Sequence, residues 1–194
     1  KYLFTITTLI ISLLTYVPST YAQSGSTSIS KIINKSGNYN DSIVKQEWHA
    51  TDLPDSLLFN GNQKFTFQST NLTLIPPKTF RADNLGNLIH DWTGTSIQCT
   101  LLNANYLALL KTINKETFEK QGFSYINQQT LVTRKNKEGT LYLIGFISNG
   151  VEYERIVFFI GNGTQTAWLS INYPVMMKSL IFGPIEQCLA SIEF

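Results

Sequence analysis

Charge is scarce in this chain. Only 14% of its 194 residues are Asp, Glu, Lys or Arg, and the formal net charge is +2, whereas a typical soluble domain is about 25% charged. With neither a basic stripe nor a large net charge, the electrostatic footprint of a nucleic-acid or anionic-membrane binder is missing. Cysteine and histidine come two apiece, as Cys99, Cys188, His49 and His90. The HxxxH, CxxC and Asp-rich calcium-loop spacings are missing, so no metal centre and no cofactor is expected. Past residue 22 there is also no apolar run of the roughly 20 residues that a membrane span requires. A polar surface must therefore be built largely from Asn, Gln, Ser and Thr.

What is present begins at the first residue. Lys1 precedes a run rich in apolar residues from Leu3 to Val17, followed by Ser19, Thr20, Tyr21 and Ala22. A positive start, an apolar core and Thr20-x-Ala22 as a cleavage site read as a secretory signal peptide over residues 1–22. Thr5, Thr7, Thr8, Ser12 and Thr15 dilute the run and Pro18 ends it, which disfavours a membrane span. The expected mature chain starts near Gln23, is secreted or periplasmic, has 172 residues (194 less 22) and suits one domain.

From Gln23 to about Gln63 the composition is rich in Ser, Asn, Gly and Asp and sustains little periodicity. Residues 23–63 are therefore expected to form a flexible arm, suited to docking if it orders on binding, and residues 64–194 the folded domain. Asn71 to Ile75 alternates and stops at Pro76-Pro77, as a strand with a hard end does. Leu88–Trp92 and Thr95–Leu102 read as strands on either side of Thr93-Gly94. Tyr106, Leu109, Leu110, Ile113 and Thr117 recur at helical spacing, which predicts one helix over Asn105–Gln121 closed by Gly122. Phe123–Val132 is a further strand. Asn149-Gly150 accepts positive φ at both central turn positions and predicts a hairpin between Thr140–Ser148 and Val151–Ile160. Gly161-Asn162-Gly163 then turns the chain into Gln165–Tyr173.

The middle of this meander, Ile156 to Ile160, is apolar on both faces, so something must cover both sides of the sheet. The available cover is the helix over Asn105–Gln121 and a C-terminal helix after Pro174, with Pro184 placed to begin its last run. An α+β fold follows, an antiparallel sheet with helices on both faces.

Several of these residues resemble the PsbP/Mog-type α/β/α sandwich family and its bacterial extracytoplasmic, DcrB-like branch. They are LTLIPPKTF at 72–80, Ser-Ile-x-Cys at 96–99, Lys120-Gln121-Gly122, Glu154-Arg155, WLSINYP at 168–174 and Leu189-Ala190-Ser191-Ile192. The resemblance implies a non-enzymatic module that docks on a larger assembly or partner protein, here another envelope or secreted protein. No binding motif of the family can be matched residue by residue.

Catalytic sets are poor. Ser96 or Cys99 with His90 as base can be written down, but Cys99 shares an apolar strand face with Ile97 and Leu101, where a thiolate is disfavoured. Glu152 and Glu154 share a strand face without being tied to any other catalytic group. His49, near Glu47 and Asp52, lies far from His90 in sequence. The Asn-x-Ser/Thr triplets at Asn34, Asn40, Asn71 and Asn162 are uninformative in so Asn-rich a chain. Three function classes stay open: a binding or accessory module, a ligand binder with an aromatic-lined cleft, and a Cys/Ser hydrolase. Trp48, Trp92 and Trp168 are the candidate cleft or docking residues. Cys99 and Cys188 form a disulfide if the C-terminal helix packs over the Cys99 strand in an oxidising compartment; otherwise they are two buried thiols.

Overall fold

A computed structural model describes residues 63–68 and 70–194, all within the second of the chain's two units, Lys45–Phe194. The expected signal peptide and all of the expected arm except Gln63 lie outside the described residues. The described residues form nine strands: β1 (Phe65–Thr66), β2 (Thr73–Leu74), β3 (Arg81–Ala82), β4 (Leu88–His90), β5 (Thr95–Leu102), β6 (Ser124–Val132), β7 (Glu138–Ser148), β8 (Val151–Gly161) and β9 (Thr166–Pro174). Among the described residues the helices are α1 (Tyr106–Leu110), α2 (Lys115–Glu119) and α3 (Lys178–Ala190), the last entered through a 3₁₀ turn at Val175–Met177. β3 to β9 build one seven-stranded sheet in the order β3-β4-β5-β9-β8-β7-β6, antiparallel throughout, and β1 pairs with β2 apart from it.

The meander follows from its turns. Asn149 and Gly150 have φ of 50° and 76°, as a two-residue primed turn requires, and β7 and β8 then pair from Ser148↔Val151 to Gly139↔Ile160. Gly139 and Gly161 are needed for space. A Cβ on Gly139 would meet Phe158 Cζ at 2.2 Å, and one on Gly161 would meet the Gln165 carbonyl oxygen at 2.6 Å.

Period-two alternation sends β8 side chains to both faces. Ile156, Phe158 and Ile160 join Leu141, Leu143, Leu169 and Ile171 in a core that Ile181, Ile185, Cys188 and Leu189 of α3 complete. On the opposite face, Phe118 of α2 lies 5.3 Å from the Tyr142 ring, and Tyr106 of α1 shares a 2.9 Å hydrogen bond with Thr140.

Helix is the minor component, and two helical expectations are corrected. The single helix over Asn105–Gln121 is two, because Asn114 leaves helical geometry (φ −148°, ψ 178°) and caps a fresh start. Its side chain accepts from the Thr117 N–H while the Thr117 hydroxyl accepts from the Asn114 N–H, a reciprocal cap. Pro184 does not begin a helix; it stands inside α3. The N–H it lacks would have met the carbonyl of Leu180, a residue exposed to water.

Candidate functional site

The β4–β5 connection is a four-residue turn, Asp91 to Gly94, that holds a tryptophan in solvent. Its scaffold is polar and tight. The Gly94 N–H donates to the His90 carbonyl at 3.0 Å, and the Thr93 N–H donates to His90 Nδ1 at 3.1 Å. The Thr93 hydroxyl lies 2.9 Å from that same nitrogen and donates to the Thr95 hydroxyl at 2.8 Å. Gly94 takes φ 68°, the left-handed region. Phe80 packs on the His90 ring at 5.3 Å. Outside, the Arg81 guanidinium grips Asp91 with both arms, at 2.6 and 2.7 Å, and this hydrogen bond holds the Asp91 carboxyl below its ordinary 3.8. Trp92, in the middle, is 72% exposed. Leu85, in the preceding β3–β4 turn, is also exposed.

The other tryptophans behave differently. Trp168 on β9 is 3% exposed and stacks on Phe159 at 6.2 Å, so it belongs to the interior and not to an exposed cleft or docking surface. Among the described residues its indole N–H has no hydrogen-bond partner. Trp48 lies outside the described residues, as do His49, Glu47 and Asp52.

The cysteines are both free in the structure, two buried thiols without a Cys99–Cys188 bond, the second of the two alternatives left by the sequence. Both pack into the α3-side core. Burial raises Cys99 to about 12, opposed by a hydrogen bond with Thr70, and burial pushes Cys188 higher still. Neither is poised as a nucleophile. His90 is committed to Thr93, and Ser96 takes a long 3.5 Å contact from Asn172. In the β4–β5 register His90 lies opposite Thr95 and Ser96 opposite Ile89, so His90 and Ser96 project to opposite faces.

Glu154 and Arg155 are the functional-looking residues whose roles escaped sequence reasoning. They are adjacent, each 1% exposed, and point to opposite faces of β8. Glu154 accepts from the Tyr173 hydroxyl at 2.5 Å and from Lys178 Nζ at 2.9 Å, so it is a structural anchor for the start of α3 and not half of a carboxylate pair with Glu152. Arg155 donates to Asn172 Oδ1 at 2.5 Å and lies 5.4 and 5.0 Å from the rings of Phe123 and Phe146. Burial lowers it to about 10, which leaves it charged at neutral pH. The legible signal was a charged pair opening an otherwise apolar run. Gly161-Asn162-Gly163 is the β8–β9 turn, with Asn162 Oδ1 accepting from the Thr164 and Gln165 N–H groups at 2.9 Å. Among the described residues no group of three His, Cys, Asp or Glu is placed to hold a metal ion, and no helix is long and apolar enough to cross a membrane.

No family model matches the chain, and no curated protein matches it in sequence. Solved structures are similar in fold. Cyanobacterial PsbP (CyanoP) from Synechocystis sp. PCC 6803 is 6% identical, with 68% of this chain and 91% of that one covered and a TM-score of 0.48. The Saccharomyces cerevisiae Ran-binding protein Mog1p is 11% identical over 68% of this chain and 94% of that one, TM-score 0.46. A protein of Bacteroides thetaiotaomicron VPI-5482 is 16% identical, with 63% of this chain and 44% of that one covered, TM-score 0.40. These are likenesses of fold alone, and no residue role passes from them to this chain.

Proposed function

We propose that this chain is an exported, non-enzymatic binding module that docks on another envelope or secreted protein through the Trp92 turn. The observation that carries the reading is the exposed indole on a turn already held by its own hydrogen bonds. Tryptophan is enriched among the few interface residues that dominate binding energy. A turn fixed before binding loses little further freedom on association, so more of that contact energy appears as affinity.

Two finer readings accompany it. An α/β/α sandwich of PsbP/Mog type, in its extracytoplasmic, DcrB-like branch, is the finer reading of the fold; the contacts of α3 on one face and of α1 and α2 on the other support its layers, and the sequence resemblance supports its branch. Export rests on the signal-peptide pattern of residues 1–22, and the mass of the protein recovered from its native compartment tests it, with a chain starting near Gln23 expected.

The docking reading is tested by crosslinking and pulldown from that native fraction, comparing the unaltered protein with Trp92→Ala. The exposed position predicts a stability change within about 0.5 kcal/mol, together with loss of the captured partner. Equal capture by both proteins would remove Trp92 from the interface.

A further inference from the structure

The two edges of the seven-stranded sheet are unlike. At one, β3 is two residues long and carries Arg81 with its Asp91 partner, and short, charged edges resist pairing with other chains. At the other, β6 runs for nine residues, Ser-Tyr-Ile-Asn-Gln-Gln-Thr-Leu-Val, with no charge and no proline. Among the described residues no strand pairs with its outer side. A bulge between Tyr125 and Asn127 interrupts its start, leaving Asn127–Val132 in regular register with β7. Alternate residues of such a run turn their N–H and C=O groups outward, ready for another strand.

The side chains of the same run add an independent observation. Asn127 and Gln129 stand opposite Leu143 and Leu141 on the α3 face. Asn127 Oδ1 and Gln129 Oε1 are shut off from water without a hydrogen-bond partner among the described residues, and Gln129 is only 8% exposed. Native folds seldom leave such atoms unpaired.

We propose that β6 pairs antiparallel with β6 of a second copy of this chain, in the register that sets Gln128 opposite Gln128. A two-fold axis at Gln128 places Asn127 of each copy opposite Gln129 of the other. Side chains directly opposite across an antiparallel pair are in contact range, and each amide is both donor and acceptor. Rotation of the terminal amides turns each orphaned oxygen toward the facing NH₂. The two sheets become one, and the unguarded edge disappears. Any other register loses the reciprocal Asn–Gln contacts, so the amides choose the alignment as well as the partner.

Sedimentation of the purified protein over a range of concentrations is expected to give twice the monomer mass, with slowed hydrogen exchange at outward N–H groups of β6. Gln128→Lys, at an exposed position, sets like charges opposite each other and is expected to return the monomer with its thermal transition retained. Gln128→Cys is expected to form a covalent dimer on mild oxidation, because its Cα atoms meet across the axis at a separation a disulfide spans. Thr130→Cys, equally exposed but opposite Ile126, is expected not to. A monomer at every concentration, a dimer indifferent to Gln128→Lys, or faster crosslinking through the Thr130→Cys variant would overturn the proposal.

Discussion

Cys99 and Cys188 should be nearly inert in the folded protein and fully reactive once it unfolds. Thiols react as thiolates, and burial raises Cys99 from 9.0 to about 12. Those 12 less 9, about three pH units, leave roughly a thousandfold less thiolate near neutrality. Cys188, wholly buried and raised further by the same cause, is slower still. The perturbation is a chromogenic disulfide reagent at pH 8, added to native protein and to protein in concentrated urea. Two thiols per chain should titrate at once in urea, and native labelling should lag by about three orders of magnitude unless the core opens.

The sign of the pH dependence follows. A thiol whose folded pKa is raised contributes stability that is fully present below its unfolded value and lost as pH rises toward the folded one. Each cysteine therefore removes up to about 1.4 kcal/mol per pH unit above pH ~9. Tyr106, Tyr125 and Tyr142, all raised by burial, add to this loss above pH ~10, so urea midpoints should fall steeply on the alkaline side. Rapid native labelling of Cys99 would refute the argument and reopen a thiol hydrolase. Fewer than two thiols in urea would restore the disulfide.

Gly139→Ala should destabilise by about 1–3 kcal/mol or more, because the new methyl group meets the Phe158 ring and the Phe159 carbonyl below 3 Å; Gly145→Ala, with its nearest neighbour at 3.7 Å, is the control, and equal urea midpoints for the two variants would contradict the packing. Asp91, held below its ordinary carboxylate value by the Arg81 hydrogen bond, contributes stability present above its unfolded pKa of about 3.8 and lost as pH falls through the lower folded one. The Trp92 turn should therefore loosen only under strong acid, seen as a shift in indole emission, and Arg81→Ala should move that shift to higher pH.

The strands were largely legible because their signals are local. Thr95–Leu102 carries its own alternation, and Asn149-Gly150 fixes a hairpin by backbone preference alone, so β5 keeps both expected bounds and the β7–β8 turn falls where it was placed. The helices were less legible because their ends depend on competition. Helical spacing runs through Asn114, yet its side chain offers the backbone an alternative to the helical ladder, and the reciprocal cap with Thr117 starts a new helix there. Pro184 reads as a start, but an exposed neighbour one turn earlier and an inward face of Ile181, Ile185, Cys188 and Leu189 let α3 run through it. The tryptophans could not be sorted by type: Trp168 sits on a strand buried on both faces, Trp92 on a turn. The edge of β6 left no local mark, since being outermost is a property of strand order.

Glu154 and Arg155 link the core to the register of the sheet. Adjacent residues of a strand project to opposite faces, so these two charges cannot neutralise each other, and each must be satisfied on its own side. Glu154 is met by Tyr173 from β9 and Lys178 from α3; Arg155 is met by Asn172 from β9 and lies beside the Phe123 and Phe146 rings. The partners on β9, Tyr173 and Asn172, are themselves adjacent and lie directly opposite Glu154 and Arg155. A slip of β8 by one residue would carry Arg155 to the side of Lys178 and Glu154 to the face of the aromatic rings. One cation would then face another, and a carboxylate would lie against the electron-rich ring faces that attract a guanidinium. Apolar neighbours such as Ile156 to Ile160 tolerate that slip, because both faces there are apolar. The charged pair does not, and so it fixes which residues of β8 stand beneath α3.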